Sequence, residues 1–502
     1  MAKGRNLSIL VAVFSLGALF LPGTFSAAIQ SLANGFLQSF DRWTLLLPTA
    51  CLAFCLAVLF LPHGKFVIGG PRAKPEFRRV TWVAMMFAAG MGAGLVFWGS
   101  AEPLIHMASP PPDLDIAPNS DEARWKALAI TQFHWSLHAW AIYGVAAIAV
   151  GMALSGKGPL LPSRPFGGLP HWARRGIDIT ALVAVLFGLV ASLGQGVFQV
   201  GAGLATISDG KIPEGIVAQI PFLLLLTTAY LVSAWLGLRR GIAILSNVNI
   251  ALALALALYV FIVGPTGAIV SAFVDSALSY SANFAELSFR LRPEGEARDW
   301  TRAWSLTYFL WWVAWTPFVG VFLARISRGR SLREFVIAAV FVPSAMTLLW
   351  FAILGGAALA VQQTGRDLGI SDFDTATLAA YVLLDELPLT TLMQGMTIAL
   401  VTIFLITSAD SGAYVLAMFT EETSSPSAGG RVFWGLVLAA LTAAAILSED
   451  GQSATRAMAV AGAIPLTFLL AAQGGVAGWR LFGPQSLASA ITSSRERPDR
   501  AK

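Results

Sequence analysis

Long apolar runs decide most of what this chain can fold into. About twelve stretches are each long enough to cross a bilayer, at ~20 residues per crossing. They lie near 8–28, 43–62, 80–104, 127–154, 178–206, 216–238, 241–274, 301–324, 335–361, 391–418, 432–448 and 457–479. Only 12% of the residues are charged, where a soluble domain carries about 25%. The charges also gather between the runs rather than within them. The expected fold class is therefore an all-α membrane protein with about twelve transmembrane helices. The longest runs exceed one bilayer thickness, which implies tilt or extension into water.

Charge placement sets the orientation. Most of the 33 Lys and Arg fall in the segments that share a side with Lys3 and Arg5: after the second, fourth, sixth, eighth, tenth and twelfth runs. This is the positive-inside pattern, so both termini are expected in the cytoplasm. The formal charge of +5 thus reflects topology and gives no signal for nucleic acid. Cys51 and Cys55 lie four apart in the second run and read as small packing residues. Ser26-Ala27-Ala28 imitates a signal-peptide cleavage site after the first run, which is nonetheless kept as a span.

The extramembrane segments are short. The region from Ser276 to Leu291 mixes Phe284, Leu287 and Phe289 with polar residues and reads as an interfacial helix. The expected organisation is a tail with two helices (1–79), five helices (80–275), an outer linker helix (276–300), five more helices (301–480) and a short cytoplasmic tail (481–502). Two spans carry helix-breaking sequence. Gly90, Gly92 and Gly94 alternate in the third, and Pro317 follows Trp311-Trp312-Val313-Ala314-Trp315-Thr316 in the eighth. These spans are five apart and run in opposite directions. Matching breaks in two five-helix halves are what an inverted-repeat transporter shows. Glycines at this spacing also serve close helix packing.

Among the 16 Trp, Trp43, Trp300 and Trp479 sit at span ends, as interfacial belts require. Trp135, Trp140 and Tyr143 in the fourth span lie well inside, as do Trp311, Trp312 and Trp315 in the eighth. A quaternary ammonium has no N–H to donate. Aromatic faces recognise it through the ring quadrupole, at ~2 kcal/mol per desolvated contact.

These segments resemble the betaine/choline/carnitine transporter family. The resemblance rests on Met85–Gly94 with Gly99-Ser100-Ala101-Glu102-Pro103-Leu104, on Phe133–Tyr143, on Trp311–Gly320 continuing to Arg330, and on Ile406-Thr407-Ser408-Ala409-Asp410-Ser411. It implies a fold similar to LeuT-type transporters, with two leading helices and two inverted five-helix repeats, in a bacterial cytoplasmic membrane and as a homotrimer. It implies an aromatic box of Trp135, Trp140, Tyr143 and Trp312, with Trp311 and Trp315 on the route to it. Gly90, Met91, Gly92 and Gly94 would be backbone along the substrate path. Sodium would be held by the carbonyls of Ala88, Met91 and Phe404 and the hydroxyls of Thr407 and Ser408. Unwound backbone supplies hard oxygens of this kind, although Thr407 and Ser408 can also bond within their own helix.

Two departures bear on coupling. Where some relatives place two threonines for a second sodium, this chain resembles them with Val185 and Leu189, which cannot ligate. Where sodium-independent exchangers place a cation in span 7, the stretch Ser246-Asn247-Val248-Asn249-Ile250 has none. The expectation is a sodium symporter for a zwitterion such as glycine betaine, with one ion. At ~150 mV one charge contributes about 3.5 kcal/mol, and a tenfold sodium gradient adds roughly 1.4, enough for about 10³–10⁴-fold accumulation.

Among the remaining polar residues, Glu102 reads as a gate or structural partner, Asp178 as interfacial, and Asp410 as orienting the sodium ligands. His134 and His138 are a possible metal pair without a third ligand. No nucleophile–base arrangement or phosphate loop appears, so neither an enzyme nor an organic cofactor is expected. Alternatives are a sodium-independent choline or carnitine exchanger, a carrier of the sulfonium dimethylsulfoniopropionate, a membrane metalloenzyme built on the histidines and Glu102, and a sensor. The short tails suggest transport that is not gated by osmotic stress.

Overall fold

The computed structural model describes residues 2–90, 92–154, 160–237 and 239–483. Among them the architecture is helical, and β structure is limited to the isolated bridge between Val67 and Ser331. Ten helical stretches are long and apolar enough to cross a membrane, or eleven if one bent pair counts as a span. Met91 and the tail beyond 483 lie outside the described residues.

The bent pair is the first expected span. Helices α1 (Ala2–Phe20) and α2 (Pro22–Ser39) meet at 109°. Pro22 explains the break, because its ring disfavours helical geometry in the preceding residue, and Leu21 sits at φ −129°, ψ 56°. Helix α3 (Asp41–Phe60) then crosses. Its N-terminal end is tied down where Asp41 accepts from Arg298 at 3.0 Å and from Arg302 at 2.8 Å.

The glycine-rich third span divides where the sequence predicts. Helix α4 (Arg79–Gly90) stops and α5 (Ala93–Ala108) starts, with Gly92 extended at φ −142°, ψ −174°. The fourth span divides too, at a residue with no glycine or proline to announce it. Helix α6 (Asp121–Trp135) gives way to α7 (Leu137–Gly151) across Ser136, at φ −102°, ψ −128°. The Ser136 hydroxyl bonds the Gln132 side chain at 2.6 Å, a local partner that competes with the helix ladder.

Helices α8 (His171–Ile207), α9 (Ile216–Leu236) and α10 (Arg239–Val263) follow. The expected seventh run to residue 274 is too long. The chain turns at Gly264-Pro265, and the linker helix is α11 (Thr266–Phe289), not 276–300. Its apolar face, with Val270, Phe273 and Val274 exposed, merged with α10 in the hydropathy pattern. The short α12 (Glu296–Thr301) runs through a π-helical segment, Arg302–Leu306, into α13 (Thr307–Ile326). Helix α13 is continuous through Pro317. The break expected at that proline is absent, and the irregular backbone lies about three to four turns earlier. Prolines persist in spanning helices because nearby groups take up the freed bond.

The remaining elements are α14 (Leu332–Val336), α15 (Val342–Gln363), α16 (Ala379–Asp385), α17 (Thr390–Glu421), α18 (Ala428–Ile446) and α19 (Gly451–Phe482). Helix α8 packs against α17 and α19, and α7 packs against α13. Two small-residue contacts set these distances. A Cβ on Gly412 of α17 would come within 2.4 Å of Leu189 on α8, and one on Gly320 of α13 within 2.8 Å of Ala146 on α7. The second contact brings α13 close enough for its aromatic face to meet that of α7.

Candidate functional site

Four aromatic side chains converge where α6, α7 and α13 meet. Trp312 is the common member. Its ring centroid lies 5.6 Å from Trp135, 5.6 Å from Trp140 and 5.0 Å from Tyr143. Trp140 and Tyr143 are 6.0 Å apart and nearly perpendicular at 82°. All four are buried. The tilts keep ring edges against ring faces, the arrangement the quadrupole favours. The break at Ser136 matters here, because it separates Trp135 at the end of α6 from Trp140 in the first turn of α7. A shared side of one unbroken helix is therefore not what joins them; the packing against Trp312 is.

The broken third span reaches the same place. Gly94, in the first turn of α5, faces the Trp135 ring, and a Cβ there would lie 3.7 Å from it. That is ordinary contact, so Gly94 is not a close helix–helix packing point. Gly92 has open space around its Cβ position. Gly90 ends α4, and Met91 lies outside the described residues.

Trp311 and Trp315 are half-buried. Trp315 turns away from the cluster. Its ring meets Phe318 at 5.8 Å, and its indole lies against Gly188 of α8. Three further aromatic residues surround the four: Tyr308 and Phe351, 5.6 Å and 5.3 Å from Trp135, and Phe87, 6.4 Å from Trp140. Tyr308 was findable in the sequence, one turn before Trp312 on the same face. Phe351 carries no such signal.

Beneath Trp135 lies a buried polar group. The Glu102 carboxylate accepts the Trp135 indole N–H at 2.5 Å and bonds His134 Nδ1 at 2.6 Å. His134 Nε2 bonds Ser305 Oγ at 2.8 Å, and His106 Nε2 stands 3.3 Å from the same carboxylate. The ligand atoms of Glu102, His106 and His134 lie within 4.8 Å of one another. A metal does not fit between Glu102 and His134 in this arrangement. Two atoms sharing a tetrahedral ion at ~2.1 Å stand about 3.4 Å apart, and a 2.6 Å separation is that of a hydrogen bond.

The expected His134/His138 pair is split. His138 bonds Tyr280 at 2.9 Å and Ser288 at 3.0 Å. Ser288 gives its own proton to the Phe284 carbonyl, so His138 Nε2 donates to Ser288 and Tyr280 donates to Nδ1. This histidine fastens α7 to α11. Asp178 has a structural role too, accepting from the Ser163 amide and hydroxyl at 3.0 Å and 2.8 Å.

Of the expected sodium ligands, Phe404, Thr407 and Ser408 are half-buried on α17. Thr407 donates to the carbonyls of Ile403 at 2.9 Å and Phe404 at 3.1 Å, the within-helix bonding open to any such threonine. Ala88 lies in the last turn of α4, and Met91 lies outside the described residues. Val185 and Leu189 are buried, and Leu189 is packed onto Gly412, so that place is filled by hydrocarbon.

Residues 6–476 match the family model of the betaine/carnitine/choline transporters. The chain is similar to the glycine betaine transporter OpuD of Bacillus subtilis, 37% identical over 473 residues, which cover 92% of this chain and 90% of that one. It is 35% identical over 481 residues to glycine betaine transporter 1 of Vibrio parahaemolyticus, with 92% and 90% covered. It is 33% identical over 465 residues to an ectoine/hydroxyectoine transporter of Virgibacillus pantothenticus, with 90% of each covered. Apolar helices, an aromatic cluster at their crossing and this likeness along nearly the whole length agree. The chain is a multi-pass membrane transporter, not an enzyme, and belongs to the betaine/carnitine/choline transporter family.

Proposed function

We propose that this protein is a secondary active transporter that carries glycine betaine, or a zwitterion of the same cationic chemistry, into a bacterial cell together with one sodium ion. The observation that carries the reading is the contact of Trp312 with Trp135, Trp140 and Tyr143, at 5.0–5.6 Å between centroids. Four buried aromatic faces suit a methylated cation that cannot donate a hydrogen bond. The Trp140 indole N–H is buried without an acceptor among the described residues and offers a donor for the zwitterion's carboxylate. The named relatives that carry glycine betaine support the substrate class, and the ectoine carrier indicates that the class extends beyond methylated ammonium.

Sodium coupling rests on Ala88, Met91, Phe404, Thr407 and Ser408. The hydrocarbon at Val185 and Leu189 favours a single ion. Twelve spans in a LeuT-like inverted repeat, cytoplasmic termini and a homotrimer complete the reading. They are supported by the positive-inside bias and the family resemblance.

The test is uptake of radiolabelled glycine betaine into proteoliposomes, with and without an inward sodium gradient. Accumulation that requires the gradient is expected. Uptake indifferent to sodium but accelerated by internal betaine would replace symport with exchange. Uptake of choline, carnitine or a sulfonium in place of betaine would change the substrate.

A further inference from the structure

Glu102 is fully buried within a membrane helix. A charge there is costly to keep, so its partners indicate its use. One oxygen accepts the indole N–H of Trp135 at 2.5 Å, and the other bonds His134 at 2.6 Å. His134 continues to Ser305, in the π segment that leads into α13, at 2.8 Å. A single carboxylate therefore ties together α5, the last turn of α6 and the approach to α13. These elements bring Gly94, Trp135 and Trp312 to the aromatic site. The His134 ring also stacks on Tyr308 at 4.7 Å and 14°, and Tyr308 packs on Trp135. The network closes on Trp135 from two sides.

The bond has an electronic consequence as well as a geometric one. An indole N–H that donates to an anion shifts electron density into its ring. The ring face becomes more negative, and its attraction for a cation grows. Trp135 is the only one of the four cluster rings hydrogen-bonded to a carboxylate among the described residues.

We propose that Glu102 is a positioning residue of the substrate site: its carboxylate fixes the Trp135 indole and strengthens the face that this ring offers to the substrate cation. Glu102 does not touch substrate; it acts through Trp135. The inference deepens the reading of the aromatic site as the cation site and rests on it.

The experiment is a double-mutant cycle in proteoliposomes, with KM and maximal rate for glycine betaine measured for wild type, Glu102→Gln, Trp135→Phe and the double variant. Glutamine keeps an acceptor and removes the charge. Glu102→Gln should raise KM about fivefold with the maximal rate within about twofold of wild type. Phenylalanine has no N–H, so adding Glu102→Gln to Trp135→Phe should change KM by less than about twofold. A fivefold rise in both backgrounds would overturn the proposal, as would a collapse in rate at unchanged KM.

A second measurement needs no folded Glu102 variant and no substrate. The ultraviolet resonance Raman difference between wild type and Trp135→Phe should show a strongly hydrogen-bonded indole N–H, and a free N–H would overturn the proposal. Should wild type fail to take up betaine while the Raman band reports the bond, the betaine reading falls and the positioning of Trp135 stands.

Discussion

Replacing Trp312 tests the aromatic site at its common member. The ring is 6% exposed and touches three other rings at 5.0–5.6 Å. Trp312→Ala would mix two effects. It removes a cation–π contact of ~2 kcal/mol, about 30-fold in affinity, and it opens a cavity that costs about 3–5 kcal/mol of stability. Trp312→Phe and Trp312→Leu separate them. The two replacements differ from each other by only about one methylene in volume, but only Phe keeps a π face. Equilibrium binding of radiolabelled glycine betaine to detergent-solubilised protein is the assay, with thermal unfolding of the same samples alongside. The leucine variant should bind about 30-fold more weakly than wild type and the phenylalanine variant no more than about fivefold, at closely matched melting temperatures. Equal weakening by Phe and Leu would refute the cation–π reasoning and leave the cluster as packing.

Further outcomes follow from individual contacts. Gly412→Ala forces a Cβ to within 2.4 Å of Leu189; it should destabilise the α8–α17 contact by about 1–3 kcal/mol, with partial rescue by Leu189→Ala in a thermal-unfolding series. Thr407→Ala removes only a within-helix bond, so its melting temperature should stay near wild type. If Thr407 ligates sodium, the concentration giving half-maximal uptake should rise about tenfold, and an unchanged sodium curve would remove it from the site. In the loop after α15, Asp372 accepts from the amides of Asp374 and Thr375 and from the Thr375 hydroxyl. The Thr375 amide and these neighbours hold its carboxyl below the usual range. Its folded pKa is depressed, so its stabilisation is full above the unfolded value of about 4 and fades as pH falls through the folded one. Asp372→Asn should lower the melting temperature at neutral pH, and the gap from wild type should close in acid; a gap independent of pH would contradict this.

The sequence was sufficient wherever the physics is local. Lipid rewards each apolar run separately, so the spans could be read one at a time. The alternating glycines at 90–94 likewise announced the break before Ala93. Hydropathy failed where two helices share one apolar character: it ran α10 into α11 across Gly264-Pro265, and it passed through Leu21-Pro22. Proline marked the breaks at Leu21-Pro22 and Gly264-Pro265 but was not a uniform guide. Pro317 breaks nothing, while the fourth span opens at Ser136 with neither glycine nor proline. The resemblance to the family named the four rings. The tertiary structure supplied the contact itself: Trp312 meets the others where Gly320 of α13 seats on Ala146 of α7. It also decided that His134 joins Glu102 rather than His138. Partners such as His134 and Ser305 lie 171 positions apart, and no local pattern encodes which face of one helix will meet which face of another. Burial in a membrane makes a carboxylate seek whatever donors the packing brings, and the packing was the one thing the sequence did not display.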